Sequence, residues 1–127
     1  MVELEMKVLV VNDSGLVGGR LLEQLAGLKG VEVLPQAFNA IQASVAVRES
    51  LPDLVLLDPQ LPAGTSRGVL RDVREKAPRA RVLVLATSAD EAYRRAWIES
   101  GADDCITAAT DLRALLAGLE GRSRTGA

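Results

Sequence analysis

The sequence predicts an α/β domain whose parallel sheet is covered by helices, and three observations carry that reading. Short apolar runs at 7–11, 54–57 and 81–86 are continuous rather than alternating, as in strands buried on both faces. Each run empties into polar residues, namely Asn12-Asp13-Ser14, Asp58-Pro59-Gln60 and Thr87-Ser88. Between the runs, apolar residues recur every three or four positions, the spacing of amphipathic helices. Strands that alternate with helices imply parallel pairing, because right-handed βαβ crossovers are nearly obligatory.

In chain order, the first strand spans 7–11, and Ser14 or Asp13 can cap a helix with Val17, Leu21, Leu25 and Leu28 along one face. Lys29-Gly30 stops it. Residues 31–34 form a short second strand closed by Pro35, and Ile41 with Val45 marks a weaker helix running to about Ser50, where Leu51-Pro52 breaks it. After the 54–57 strand, Thr65 or Ser66 can start a third helix that carries Val69, Leu70 and Val73 inward and ends near Lys76. The fourth strand, 81–86, leads into Ser88-Ala89-Asp90-Glu91, which has the form of a capping box. Ala92, Ala96 and Trp97 would be the buried side of the helix that follows, and Gly101 would end it. A last strand at 104–107 precedes a helix capped at Thr110-Asp111, with Leu112, Leu115, Leu116 and Leu119 on one face. The expected domain core is 7–119, with 120–127 a flexible Gly-, Ser- and Arg-rich tail.

Composition narrows the function. A chain of 127 residues makes one domain with a real core, and a net charge of −2 gives no bulk attraction to nucleic acid or membrane. With Cys105 the single cysteine and no histidine, there is no internal disulfide, no Cys/His zinc site and no Ser/His/Asp triad. No apolar run approaches the ~20 residues of a membrane span, and Glu3 and Glu5 do not fit a signal peptide. The expectation is a cytoplasmic protein that is not an enzyme and contacts neither nucleic acid nor membrane directly.

The three long strands belong at the centre of the sheet, so Asn12-Asp13, Asp58 and Thr87-Ser88 meet at its carboxyl edge, where open α/β sheets bind ligands. Two neighbouring carboxylates repel unless protonated or joined by a cation, and hard oxygen donors with open coordination suit Mg²⁺. The local alternatives are a loop-capping role for Asp58 and helix capping for Thr87 and Ser88.

The order of these motifs, Val11-Asn12-Asp13, then Leu57-Asp58-Pro59-Gln60-Leu61-Pro62, then Thr87-Ser88, then Gly101-Ala102-Asp103-Asp104, resembles the response-regulator receiver domain from about Lys7 to Leu119. The resemblance implies a CheY-like, flavodoxin-like (βα)5 fold with strand order 2-1-3-4-5. It implies that Asp58 accepts a phosphoryl group from a phosphohistidine on a histidine kinase or phosphotransfer protein. Asp13, Asp58 and the backbone carbonyl of Gln60 would hold a weakly bound Mg²⁺. Thr87 and the backbone N–H groups of Ser88 and Gln60 would bind the phosphoryl oxygens. The fourth helix, fifth strand and fifth helix would form a surface for a homodimer or an output partner, including Tyr93, Arg94, Arg95 and Trp97, although Trp97 fits the core equally well.

Four positions depart from the family pattern. Asn12 replaces the usual first acid, Ala108 the usual lysine, Ala109 the proline that follows it, and Cys105 a typical aromatic; the segment from Thr87 to Gly101 is also one residue shorter than usual. A phosphorylation-independent pseudo-receiver, acting as an interaction module, is therefore an alternative. So is a nucleotide-binding Rossmann-like module, suggested by the glycines in Asn12-Asp13-Ser14-Gly15-Leu16-Val17-Gly18-Gly19.

Overall fold

The computed structural model describes residues 5–88 and 90–107. The expected fifth helix, the tail, Ala108 and Ala109 lie outside the described residues. The elements are β1 (Met6–Val11), α1 (Gly15–Ala26), β2 (Val31–Val33), α2 (Ala40–Ser50), β3 (Leu54–Leu57), a 3₁₀ turn (Pro62–Gly64), α3 (Ser66–Lys76), β4 (Arg81–Ala86), α4 (Glu91–Glu99) and β5 (Asp104–Thr107). The five strands form one sheet in the order β2-β1-β3-β4-β5, and every neighbouring pair is parallel. This is the flavodoxin-like order expected from the sequence.

Strand side chains alternate between two cores, as the two-residue period requires. Val8, Val10, Leu54, Leu56 and Leu83 pack with Leu21 and Leu25 of α1. Leu9, Val11, Val55, Leu57, Val82 and Val84 pack on the opposite face with residues of α2 and α3 and with Trp97 of α4. All four residues of β3 are buried, which explains why its sequence shows no polar alternation.

Helix faces depart from the sequence expectation in three places. In α1, Val17 is 48% exposed, while Leu21 and Leu25 are buried. In α2, Ile41 is 78% exposed and Val45 faces outward, and the core-facing residues are Ala43 and Val47. Asn39 caps that helix by accepting the Gln42 N–H at 2.8 Å, and packing against the sheet takes the face of small residues. In α4, Ala92 is exposed and Trp97 takes the core position, so Trp97 leaves the expected interaction surface. Its ring stacks under the Arg67 guanidinium, 4.5 Å from the centroid, and Arg67 also donates to Ser100 Oγ.

Ionic contacts tie β5 and α4 to the rest. Asp103 Oδ2 accepts the Val82 N–H at 2.7 Å and Arg74 Nη2 at 2.8 Å, while Arg74 Nε donates to the Gly101 carbonyl at 2.8 Å. Arg94 Nε donates to Asp104 Oδ1 at 2.7 Å; this bond and the Asp104 charge raise the Arg94 pKa above its ordinary value. Cys105 is buried in the core, and burial pushes its thiol pKa up. Among the described residues, no helix is long and apolar enough to cross a membrane.

Candidate functional site

Parallel pairing sets the ends of the central strands side by side. Val11 pairs with Leu57 and Leu57 with Val84, so the chain emerges from the sheet at Asn12, at Asp58 and, after two more strand residues, at Thr87. These three exits line one cleft of about 570 Å³, together with Asp13, Ser14, Gln60, Ser88, Asp90 and Tyr93. The expected carboxylates, the hydroxyl pair and Gln60 are thus brought together, whereas Cys105 lies in the core and does not line the cleft.

Each loop has its own brace. Asn12 Oδ1 accepts the Ser14 N–H at 2.8 Å, closing an Asx turn that presents Asp13 to solvent. Ser14 rather than Asp13 caps α1, its Oγ accepting the Val17 N–H at 3.1 Å. Gln36 supports this turn from behind, its Nε2 donating to the carbonyls of Asn12 at 2.8 Å and Ser14 at 3.1 Å. Sequence reasoning missed Gln36, since a lone glutamine carries no periodic or motif signal.

Gln36 also explains a glycine. A Cβ on Gly18 would clash with Gln36 Nε2, so glycine makes room for that side chain. One glycine of the nucleotide-like motif is thus accounted for by packing within the chain.

Asp58 is half-buried, and its Oδ1 accepts the Gln60 N–H at 3.0 Å. Behind it, buried Ser66 donates to the Asp58 carbonyl at 2.8 Å and accepts the Leu61 N–H at 3.0 Å. Ser66 was read only as a helix starter; it clasps both ends of the acidic loop. Thr87 and Ser88 are exposed on the cleft. The capping-box reading of Ser88 is corrected, because Asp90 caps α4 by accepting the Tyr93 N–H at 2.8 Å. Ser88 is left clear of that role. Tyr93, partly exposed on α4, also lines the cleft.

The donor set suits a hard divalent ion. Asp13 and Asp58 share the cleft, and no lysine or arginine stands among its described lining residues. Among the described residues, no group of three or more His, Cys, Asp or Glu side chains could hold a metal. An ion here would rest on two carboxylates, backbone carbonyl and water, which is how Mg²⁺ is usually bound.

A parallel five-stranded sheet with paired acids and hydroxyls at its carboxyl edge defines the class. The chain belongs to the response regulator receiver domain family, whose model matches residues 8–120, and it is a receiver of two-component signalling. It is 32% identical over 107 residues to protein-glutamate methylesterase/protein-glutamine glutaminase 5 of Myxococcus xanthus, covering 84% of this chain and 31% of that protein. It is 27% identical over 110 residues to response regulator GacA of Pseudomonas aeruginosa, covering 87% of this chain and 51% of that one. The chain thus spans only about a third to a half of these two relatives. Its fold matches a response regulator from Burkholderia pseudomallei solved with a phosphorylated aspartic acid, calcium ion and citrate. The TM-score is 0.79 at 23% identity, over 95% of this chain and 70% of that one.

Proposed function

We propose that Asp58 accepts a phosphoryl group from a phosphohistidine on a histidine kinase or phosphotransfer protein, in a cytoplasmic phosphorelay. The observation that carries this reading is the convergence of Asp13, Asp58, Gln60, Thr87 and Ser88 on one cleft of a receiver-family chain. An Asp58 carboxylate oxygen forms a P–O bond as the donor's P–N bond breaks, and the electron pair stays on the imidazole nitrogen. Asp13, Asp58 and the Gln60 carbonyl would hold Mg²⁺, which when bound offsets negative charge gathered on the phosphoryl oxygens. Thr87 Oγ1 and the N–H groups of Ser88 and Gln60 donate to those oxygens. The Gln60 N–H already addresses the Asp58 carboxylate, which supports this role.

The substituted positions change the magnitude of the response. Replacing an acid by Asn12 and a lysine by Ala108 removes one charge of each sign, so Asp13 and Asp58 with a divalent ion still sum to near neutrality. The lost ammonium contact with the acyl phosphate is a charge-assisted bond of about 1.5–3 kcal/mol. The expected product is therefore a slowly formed or short-lived phosphoaspartate. Incubation with Mg²⁺ and acetyl phosphate, followed by intact-mass measurement, should show a gain of one phosphoryl group that Asp58→Asn abolishes.

The missing cation and the buried Cys105 favour a second reading, a pseudo-receiver that binds partners without phosphate. No mass gain in the native chain, with partner binding unchanged in Asp58→Asn, would select it.

A further inference from the structure

A second concavity, of about 720 Å³, lies between α2 and α3 and shares no described lining residue with the acidic cleft. We propose that this groove docks an amphipathic helix of a partner protein. Apolar side chains one turn apart on that helix would seat against Ile41 and Val45, and carboxylates at one end would pair with Arg48 and Arg71.

Three independent features point there. Ile41 is the most exposed of the large apolar side chains described, at 78%, and Val45 follows one turn later on the same helix. The fold gives them nothing to cover, since α2 meets the core through Ala43 and Val47. Across the groove, Gly68 lies inside α3, and a Cβ built on it meets nothing within 4 Å. A helix-interior glycine weakens its helix; here no neighbour within the chain requires it, and its bareness keeps the groove open.

The charges select the occupant. Asp72 is paired with Lys76 at 3.6 Å, and that lysine also donates to Ser44 Oγ at 2.9 Å. Arg48 and Arg71 have no hydrogen bond or ion pair with any described residue, so the groove presents two unmatched cations in a chain of net charge −2. Two copies packed groove to groove would bring four arginines together, which disfavours self-association. A flat bilayer meets a concave wall poorly, whereas amphipathic helices are recurring occupants of apolar grooves.

The probe is a fluorescein-labelled synthetic helix with leucines one turn apart on one face and glutamates in its terminal turn. Titrated into the full ¹⁵N-labelled chain, it should shift amide resonances of α2 and α3 with micromolar affinity. Arg48→Glu with Arg71→Glu should weaken binding about tenfold or more, and a lysine-for-glutamate peptide should recover it with that double variant. Gly68→Leu, at a position with free space, should block binding without lowering the melting temperature. Equal affinity for both peptides, or shifts centred elsewhere, would overturn the proposal. So would self-association abolished by Ile41→Asp, or binding to anionic phosphatidylserine vesicles in place of the peptide.

Discussion

Replacing Ser66 by alanine removes two hydrogen bonds at once, and both hold the loop that follows Asp58. Ser66 is 2% exposed; its hydroxyl donates to the Asp58 carbonyl at 2.8 Å and accepts the Leu61 N–H at 3.0 Å. Alanine leaves a buried donor and a partly buried acceptor without partners, at a cost of about 1–3 kcal/mol. Its better helix propensity at the start of α3 returns roughly 0.5 kcal/mol. A net loss of about 1.5 kcal/mol is expected. With an unfolding entropy of roughly 2.1 cal/mol/K per residue, a chain of this length should melt about 6 °C lower. Thr65→Ala is the internal control, because Thr65 Oγ1 only donates to the Pro62 carbonyl at 3.0 Å in an exposed turn, and it should cost under about 0.5 kcal/mol. Urea and thermal melts of the three proteins measure stability, and Mg²⁺ titration measures the loosening of Asp58 and Gln60. Equal, mild effects of both substitutions would refute the claim that Ser66 clasps the loop.

Leu51 ends α2 with φ of 48° and is more than half exposed, so Leu51→Gly should relieve left-handed strain and raise stability by up to about 1 kcal/mol in urea melts, the gain being limited by glycine's freer unfolded chain. Burial raises the Cys105 pKa in the folded state, so its contribution is complete below the unfolded thiol's ordinary value near 9.0 and is lost as pH rises through the higher folded value. Melts taken from neutral to strongly alkaline pH should show that decline, and Cys105→Ala should flatten it. Ala108→Lys should increase acetyl-phosphate labelling of Asp58 in a Mg²⁺-dependent way, and adding Asn12→Asp should increase it further by restoring metal affinity; mass spectrometry of the native chain, both single variants and the double variant decides it.

The residues that define the site were legible because they stand at strand ends. A continuous apolar run followed by Asp58, and others followed by Asp13 and Thr87, place polar groups at one sheet edge once parallel pairing is assumed. Gln36 was not legible, because it reaches the Asn12 turn from the far side of β2, 24 residues away in sequence. Nor was the cap of α4, since Ser88 and Asp90 both have capping chemistry and only backbone geometry chooses Asp90.

By itself the sequence determined the alternation of strands and helices and their parallel pairing, because apolar periodicity and crossover handedness are local or nearly universal rules, while the strand order came from the resemblance of its motifs to receiver domains. Helix phase was decided by tertiary structure. Ile41 and Val45 look like a buried face, yet it is Ala43 and Val47 that meet the sheet. Trp97 could serve core or surface until packing buried it beneath Arg67. A side chain's environment depends on the distant elements that approach it, and spacing along one helix says which residues share a face but not which face the sheet will cover.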